Sequence, residues 1–204
     1  DSKFENNQSY TEVIQDGMVD LIDAGKMTVA SATSFSLSPE YAERMNKEAA
    51  RYRESIITRP LQVSDHPEVI RRVGLIATNG MIEADIYGNI NSTNVSGSRI
   101  MNGIGGSGDF TRNGFISSFI TPSLAKDGAI SAIVPFASHI DHTEHDVMVV
   151  ISEYGYADLR GLAPRDRAKK MIAIAHPDYR PLLEEYVERA TSGVRPMHTP
   201  HDLA

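Results

Sequence analysis

The stretch Phe115-Ile116-Ser117-Ser118-Phe119-Ile120 is one of three short, apolar and partly β-branched runs in the chain. The other two runs cover residues 129–136 and 147–151. Runs of this length and composition are typical of buried strands. Patterns that predict helices lie on both sides of them, from Thr11 to Ala24 and from Arg180 to about Arg189. Strands in the middle and helices at both ends predict an α/β fold.

Two further local patterns bear on the fold. The dipeptide Asn79-Gly80 separates two short apolar stretches and therefore predicts a hairpin turn. Residues 88–109 are rich in Gly, Asn and Ser and have little periodicity. We interpret them as a functional loop, because structureless loops beyond about 12–15 residues are otherwise uncommon. The sequence contains no internal repeat and no visible domain boundary.

The composition restricts the classes of function. The chain has 204 residues, with 20 Lys and Arg against 27 Asp and Glu, a net charge of −7, and no Cys. A disulfide framework, a thiolate metal site and a cysteine nucleophile are therefore excluded. The acidic balance argues against a nucleic-acid groove, and no apolar run approaches the roughly 18 residues of a membrane span. Because no signal-peptide pattern follows Asp1, we expect a cytoplasmic protein, or one of the mitochondrial matrix in a eukaryote.

The segment Asn102-Gly103-Ile104-Gly105-Gly106-Ser107-Gly108-Asp109-Phe110 is unusually rich in glycine. Residues 103–108 match the Gly-x-Gly-x-x-Gly dinucleotide pattern, but no strand-like run precedes them, so a nucleotide cofactor is not favoured. The glycines permit either a tight turn with positive φ or the close approach of a ligand to the backbone. We favour the second interpretation, in which exposed N–H groups bind an anion or a developing oxyanion.

Clustered His and acidic residues form another candidate site, His139-Ile140-Asp141-His142-Thr143-Glu144-His145-Asp146. The His-Glu-x-x-His spacing is absent and hydrogen-bonded turn residues fit equally well, so no metal is predicted. Glu153 follows the apolar run 147–151 directly, and ligands of α/β sheets bind beyond the carboxyl ends of strands. Glu12 stands in the first turn of the predicted helix, where an acid stabilises the helix dipole.

Five motifs occur in one order along the chain and together resemble a known family. They are Thr11–Gly17, Gly103–Phe110, Lys126–Ile130, His142–Asp146 and Ala157–Gly161. They resemble the C-terminal half of the acetyl-CoA hydrolase/transferase family, in the succinyl-CoA:acetate CoA-transferase branch of the class I CoA-transferases. The resemblance implies an α/β fold with an open, mostly parallel sheet flanked by helices, similar to the NagB/RpiA/CoA-transferase-like fold. It also implies that residues 1–204 form the C-terminal domain of an enzyme whose N-terminal half is absent from this chain.

The resemblance also implies roles for individual residues. Glu12 matches the nucleophile, which attacks an acyl-CoA thioester and is converted through a mixed anhydride to a glutamyl-CoA thioester. Gly106 matches a backbone donor to the oxyanion, and Glu153 matches a second active-site glutamate. Asp65 stands where the family usually has an asparagine whose amide helps to hold the oxyanion. An ionised carboxylate cannot donate a hydrogen bond, so the sequence departs from the family pattern at this position.

The ligands follow from the same resemblance. Asn102, Gly105, Gly106 and Lys126 match positions that contact coenzyme A, and Lys126 supplies a local cation for this anionic substrate. The implied partners are an acyl-CoA, a small carboxylate, the N-terminal half and a second copy in a homodimer, with no metal. We therefore expect an acyl-CoA:carboxylate CoA-transferase. The alternatives are an acetyl-CoA hydrolase, a non-catalytic interface domain, and a metal hydrolase built on His139, His142 and His145.

Overall fold

A computed structural model describes residues 5–192 of the protein. The chain divides into two compact units, Asp1–Leu75 and Ile76–Ala204, and each has its own hydrophobic core. No feature of the sequence marks this division. The predicted α/β class is confirmed, because parallel sheets with flanking helices occur in both units.

The first unit is built on a parallel sheet of three strands. Its elements are β1 (Asn7–Tyr10), β2 (Val13–Gln15), α1 (Asp16–Asp23), β3 (Met27–Ala32), β4 (Ser34–Ser36), α2 (Pro39–Lys47), α3 (Ala49–Tyr52), β5 (Ile56–Thr58), α4 (Leu61–Ser64) and α5 (Pro67–Val73). β3 lies between β1 and β5, and both neighbours are parallel to it. Ile14, Val19 and Ala30 are fully buried in the core of this unit. Burial of a side chain the size of Ile14 or Val19 contributes roughly 1.5–3 kcal/mol.

The helix predicted from Thr11 begins later, at Asp16. Val13 and Ile14 belong instead to β2, which pairs in parallel with β4. Two adjacent apolar residues fit a helical and an extended period equally well, so periodicity cannot separate the two. Glu12 therefore lies in a bend between β1 and β2, and the prediction that it stabilises a helix dipole is wrong.

Two helices of this unit begin at local sequence signals. α2 begins at Pro39 after Ser38, and α5 begins at Pro67 after His66. Proline suits the first helical position because its fixed φ is helical and the N–H that it lacks would have no intrahelical partner there. Gly74 ends α5 with a φ of 73°, a left-handed conformation that glycine adopts without steric cost.

The second unit is built on a sheet of four strands. Its elements are β6 (Ile76–Gly80), β7 (Glu83–Asp85), β8 (Ile90–Asn91), β9 (Asn94–Val95), β10 (Arg99–Ile100), α6 (Ser107–Asn113), β11 (Ile116–Ile120), β12 (Leu124–Ala125), β13 (Ile130–Ser131), β14 (Ile133–Val134), β15 (Val149–Ser152), β16 (Gly155–Asp158), α7 (Pro164–Ala173), a 3-10 helix (Pro177–Tyr179) and α8 (Arg180–Thr191). The order is β16-β15-β11-β6, with β6, β11 and β15 parallel and β16 antiparallel. Phe119 and Val150 of this sheet and Met171 and Leu183 of the helices α7 and α8 belong to one cluster of buried core residues. Within residues 5–192, no helix is long and apolar enough to cross a membrane.

The hairpin predicted at Asn79-Gly80 is wrong. Both residues lie within β6, where Asn79 is opposite Phe119 and Gly80 is opposite Ile120 of β11. The side-chain amide of Asn79 also donates to the hydroxyl of Thr111 at 3.4 Å. The dipeptide is a strong turn signal only when the two flanking strands pair with each other, and β6 and β7 belong to different sheets.

Residues 88–109 are not a structureless loop, contrary to the prediction. They contain the two-residue strands β8, β9 and β10, and α6 starts at Ser107. Side-chain amides replace much of the missing backbone pairing. Asn91 Nδ2 donates to Glu83 Oε1 at 3.0 Å and to the Asn94 carbonyl at 2.7 Å, while its Oδ1 accepts from Asn94 N at 2.9 Å. In strands of two residues the alternation of apolar and polar side chains cannot be measured, so the sequence pattern did not predict them.

Candidate active site

Glu12 lies directly beyond the carboxyl end of β1, in the first unit. Its carbonyl oxygen accepts hydrogen bonds from Thr33 N at 2.9 Å and from Ser34 N at 3.0 Å. Thr33 follows the end of β3, the central strand of the parallel sheet. The backbone of Glu12 is therefore fixed at the edge where α/β sheets bind their ligands, and its side chain is half-buried.

Asp65 lies at this same edge of the first unit. It ends α4, and its N–H donates to the Leu61 carbonyl at 2.9 Å. The hydroxyl of Tyr10, the last residue of β1, donates to the Val63 carbonyl at 2.5 Å. Burial raises the pKa of the Tyr10 phenol, and the negative charge of Asp65 raises it further. The hydrogen bond from Tyr10 to Val63 therefore brings the end of α4, where Asp65 lies, close to the end of β1, the strand that leads into Glu12.

Arg59 is a candidate site residue that the sequence reasoning missed. Its backbone N–H donates to the Ala32 carbonyl at 2.8 Å, and its Nε donates to Ser31 Oγ at 2.6 Å. These bonds place a half-buried guanidinium at the carboxyl end of β3, and its charge offsets part of the rise in the pKa of Tyr10 that burial causes. Arg59 directly follows β5, so the strand-end argument that indicated Glu153 would also have indicated it.

The glycine-rich segment of the second unit forms a turn that leads into α6. Gly105 has a φ of 55°, in the left-handed region, and Gly106 is the buried residue that precedes the first helical residue, Ser107. The neighbouring residues Gly103 and Ile104 are exposed. Left-handed backbone at Gly105 is the turn geometry for which glycine is required, and the exposed flank leaves the backbone open to a ligand.

Asn102 begins this turn and is held by two hydrogen bonds. Its backbone N–H donates to the Thr93 carbonyl at 3.2 Å, and its side-chain amide donates to the Ser92 carbonyl at 3.3 Å. Ser92 and Thr93 are in turn held by the carboxylate of Asp141, which accepts from Ser92 N at 2.8 Å and from Thr93 Oγ1 at 2.9 Å. The start of the glycine-rich turn is thus anchored through residues 92 and 93 to one carboxylate.

Glu153 lies immediately beyond β15, in the turn that leads to β16. Its two carboxylate oxygens accept from Ser123 N at 2.8 Å and from Ser123 Oγ at 2.6 Å. The hydroxyl of Ser123 is the main cause that holds the pKa of Glu153 below its usual range. The structure therefore presents Glu153 as an ionised carboxylate of fixed orientation, and Ser123 is a further residue that the sequence reasoning missed.

Lys126 lies at the exposed tip of the short hairpin between β12 and β13. Its φ is 49° and that of Asp127 is 54°, both in the left-handed region that residues with a Cβ rarely adopt. Each such residue costs about 1–2 kcal/mol relative to a relaxed backbone. The hairpin is held by the hydroxyl of Tyr179, which donates to the Ala129 carbonyl at 3.1 Å. Strained backbone of this kind is concentrated at functional sites.

The three histidines of the segment 139–146 have different partners. His139 Nε2 lies 3.3 Å from Asp141 Oδ1, and His145 Nε2 lies 3.6 Å from Glu144 Oε1. His142 is fully buried, with its Nε2 3.0 Å from the Oγ of Ser107, whereas the side chain of His145 is 83% exposed. Within the described residues, no group of three or more His, Cys, Asp or Glu side chains is arranged to hold a metal. The segment 139–146 thus consists of hydrogen-bonded turn residues.

The structure therefore groups the predicted site residues by unit. Glu12 and Asp65 lie at the carboxyl edge of the sheet in the first unit, together with Arg59. In the second unit, Asn102, Gly105 and Gly106 form one turn. Glu153 is hydrogen-bonded to Ser123, which directly precedes β12, and Lys126 directly follows that strand. The two groups supply carboxylates, cationic side chains and exposed backbone, which can bind anions and stabilise a developing negative charge.

Solved structures share this fold. RipA from Yersinia pestis is 27% identical with a TM-score of 0.76, over 92% of this chain and 45% of that one. A 4-hydroxybutyrate CoA-transferase from Porphyromonas gingivalis is 28% identical with a TM-score of 0.70, over 91% of this chain and 46% of that one. The fold is thus one that a CoA-transferase uses.

The sequence defines the family more closely. Residues 42–187 match the model of the acetyl-CoA hydrolase/transferase C-terminal domain, and the chain belongs to this family. The resemblance inferred from the five motifs is therefore confirmed.

Curated relatives include both transferases and hydrolases. A succinyl-CoA:acetate CoA-transferase from Clostridium kluyveri is 53% identical over 100% of this chain and 38% of its own length. A propanoyl-CoA:succinate CoA transferase from Escherichia coli is 48% identical over 96% of this chain and 39% of its own length. An acetyl-CoA hydrolase from Schizosaccharomyces pombe is 47% identical over 100% of this chain and 40% of its own length. The chain spans about two fifths of the length of these relatives.

Proposed function

We propose that the chain is the C-terminal domain of an acyl-CoA:carboxylate CoA-transferase that acts through a glutamyl-CoA thioester on Glu12. The observation that supports this most is the position of Glu12, a carboxylate whose backbone is fixed at the carboxyl end of β1. Family membership and transferase relatives support the reaction class. A glutamate nucleophile also suits a chain that contains no Cys.

The proposed chemistry transfers CoA in balanced steps. A carboxylate oxygen of Glu12 attacks the thioester carbon of the acyl-CoA, the C–S bond breaks, and CoA leaves as a thiolate from a mixed anhydride. The thiolate then attacks the glutamyl carbonyl carbon of the anhydride, which releases the first carboxylate and leaves a glutamyl-CoA thioester. An acceptor carboxylate reverses the two steps, yielding the new acyl-CoA and free Glu12.

Each step passes through a tetrahedral oxyanion that needs a hydrogen-bond donor. We assign this role to the backbone of Gly106, since the glycine turn places no Cβ in the way of a thioester, and a donor of this kind is worth about 3 kcal/mol. Asp65 accepts but does not donate when ionised, so we assign no side-chain donation to it. Asn102, Gly105 and Lys126 are proposed to contact CoA, and the fixed carboxylate of Glu153 to orient the reacting groups.

Hydrolysis is the second candidate, because several relatives are acetyl-CoA hydrolases. Water would then open the glutamyl-CoA thioester in place of the acceptor carboxylate. The two activities are separated by measuring CoA exchange from acetyl-CoA in the complete enzyme with succinate, with acetate, and with neither. A transferase requires the acceptor, whereas a hydrolase releases CoA without it.

The role of Glu12 is tested in the same assay with Glu12→Gln. We expect a loss of at least about 10³-fold in kcat, as for the loss of a covalent nucleophile. Glu40→Gln, an exposed acid in the first turn of α2, is the matched control and should retain activity. Full activity in Glu12→Gln would overturn the proposed mechanism.

A further inference from the structure

A fully buried imidazole lies against the glycine-rich turn and has no role in the chemistry proposed above. His142 is 0% exposed, and its Nε2 lies 3.0 Å from Oγ of Ser107, the residue that follows Gly106. A Cβ added to Gly108 would lie 3.8 Å from Cε1 of the same ring. The imidazole therefore packs against the first turn of α6, where the glycine segment ends.

The position of His142 is fixed from two further sides. The backbone N–H of His142 donates to the Ile90 carbonyl at 3.1 Å, and the backbone carbonyl of His142 accepts from Ile90 N at 2.8 Å. These two bonds join the backbone of His142 to β8. Its ring centroid lies 5.1 Å from that of Phe119, a fully buried residue of β11. The ring is thus held in place by its contact with the sheet and by the backbone bridge to β8. It can therefore fix the position of the Ser107 hydroxyl.

The hydrogen bonds have only one consistent direction. Ser107 Oγ lies 2.8 Å from the carbonyl of Ile104, which can only accept, so Ser107 donates its proton there. The Oγ must then accept from His142, which requires the proton of the imidazole to be on Nε2. Nδ1 is left unprotonated, and it is buried with no hydrogen-bond partner in the described part of the chain.

The surroundings keep this imidazole neutral. Burial lowers the pKa of His142, and the charge of Arg112 lowers it further, while Asp141 and Asp146 act in the opposite direction. Protonation would place a second proton on Nδ1, which has no hydrogen-bond acceptor among the residues that the structure describes. The neutral form with Nε2–H is therefore the state that supports the turn.

We propose that His142 is a positioning residue that holds the backbone of Gly105 and Gly106 in its working conformation through Ser107. The relay His142 Nε2–H to Ser107 Oγ–H to the Ile104 carbonyl closes a loop around the two glycines. Gly105 has the left-handed φ of 55° within this loop. The inference deepens the proposed function and depends on it, because Gly106 is the proposed oxyanion donor.

The same geometry argues against a serine–histidine nucleophile. The hydroxyl proton of Ser107 is directed to the Ile104 carbonyl and not to the imidazole. Among residues 5–192, no carboxylate is hydrogen-bonded to Nδ1 of His142, and the carboxylate of the adjacent Asp141 accepts from Ser92 and Thr93 instead. A base that activates serine requires the opposite direction of proton donation and an orienting partner.

The kinetic test uses the complete enzyme with His142→Gln, His142→Leu, Ser107→Ala and the double variant of the last two. Gln can place an amide donor near the Nε2 position, whereas Leu has similar bulk and no donor. We expect His142→Leu and Ser107→Ala each to lower kcat about 10- to 100-fold, less than loss of an oxyanion donor itself. The KM for acyl-CoA should change less than kcat, the double variant should be no worse than either single one, and His142→Gln should recover most of the activity.

A second measurement reads the imidazole in the unsubstituted protein and needs a variant only to assign its signal. Long-range ¹H–¹⁵N spectra of the unsubstituted protein with ¹⁵N-labelled histidine report the tautomer of each imidazole, and His142 is assigned through its substitution to Gln. We expect a neutral ring protonated on Nε2 at neutral pH. His145→Gln, which replaces an exposed histidine, is the matched control and should alter neither the signal of His142 nor kcat.

The outcomes separate this proposal from the proposed function. A ring protonated on Nδ1, equal activity of the Gln and Leu variants, or additive losses in the double variant would overturn the positioning role while leaving Glu12 chemistry intact. Retained activity of Glu12→Gln would overturn the proposed function. The tautomer and the non-additivity of the Ser107 and His142 substitutions would still decide whether the relay supports whatever reaction occurs.

Discussion

Replacement of Asp141 by alanine should loosen the glycine-rich turn and destabilise the second unit. The side chain of Asp141 is only 8% exposed, and its oxygens accept from Ser92 N at 2.8 Å, Ser92 Oγ at 3.3 Å and Thr93 Oγ1 at 2.9 Å. His139 Nε2 lies a further 3.3 Å away. The carbonyls of residues 92 and 93 in turn accept from Asn102, so the carboxylate anchors the start of the turn.

The size of the effect follows from these contacts. A hydrogen bond to a charged group contributes about 1.5–3 kcal/mol, and the two short bonds from Ser92 N and Thr93 Oγ1 dominate. Water can reach the half-exposed Ser92 in the variant, which limits the loss to roughly 3 kcal/mol in total. For a chain of this size, that corresponds to a decrease in Tm of about 6–12 °C. The kcat of the complete enzyme should fall with it, because Asn102 loses its support.

The pH dependence of this stabilisation has a definite sign. Burial opposes ionisation of Asp141, but the hydrogen bonds from Ser92 and Thr93 outweigh it and hold the pKa below its usual value. A carboxylate with a depressed folded-state pKa stabilises the fold above its unfolded-state pKa, and this contribution is lost as the pH falls through the folded-state pKa. The difference between the two proteins should therefore be constant near neutral pH and shrink below about pH 4.

The assay is urea unfolding of the unsubstituted protein and Asp141→Ala at several pH values, monitored by circular dichroism. Asp146→Ala is the matched control, since Asp146 pairs with the exposed Arg112 at 3.1 Å and such surface pairs contribute about 0–1 kcal/mol. A loss in Asp141→Ala no larger than in Asp146→Ala, or a difference that grows on acidification, would refute the reasoning.

Three further predictions concern other parts of the chain. Ser123→Ala removes the hydroxyl that donates to Glu153 at 2.6 Å, so the pKa of Glu153 should rise toward its usual value. The acidic limb of the pH profile of kcat should therefore move to higher pH, and an unchanged limb would contradict the prediction. Leu183→Ala creates a cavity at a side chain that is 1% exposed, so the free energy of unfolding in urea should fall by about 2–5 kcal/mol. A loss below about 1 kcal/mol would contradict this prediction. Lys126→Asn keeps a residue that tolerates positive φ and removes the cation, so the KM for acyl-CoA should rise about 10-fold at unchanged stability; an unchanged KM would exclude Lys126 from CoA binding.

Local signals predicted several elements well. The helices that begin at Pro39 and Pro67 carry their start signals in adjacent residues, and Gly74 carries the stop signal of the second, so no distant contact is needed to recognise them. The apolar run 147–151 likewise contains most of β15, because strands buried on both faces are continuously apolar.

Predictions failed where pairing depends on remote partners. Gly80 lies in a strand because it is opposite Ile120, forty positions later in the chain, and nothing near Asn79-Gly80 indicates that partner. Val13 and Ile14 pair with β4 instead of joining α1 for the same reason. The short strands of residues 88–109 depend on side-chain amides such as that of Asn91, which sequence periodicity does not register.

The candidate site divides in a similar way. Glu153 is indicated as a candidate by its position after an apolar run, whereas the proposed role of Glu12 came from family motifs and not from local physics, which favoured a helix N-terminus. The contacts of Ser123 and His142 with other site residues emerged only from the structure, because their partners Glu153 and Ser107 are 30 and 35 positions away. Residues that position others are recognised through contacts, which the sequence does not contain.

The central claim is that Glu12 forms a covalent thioester with coenzyme A. The direct measurement is mass spectrometry of proteolytic peptides from the complete enzyme after rapid mixing with acetyl-CoA and acid quenching. The account predicts that the peptide containing Glu12 gains the mass of CoA less one water, and that subsequent addition of a carboxylate acceptor removes this modification. An unmodified Glu12 peptide under turnover conditions, or CoA attached to another residue, would contradict the account.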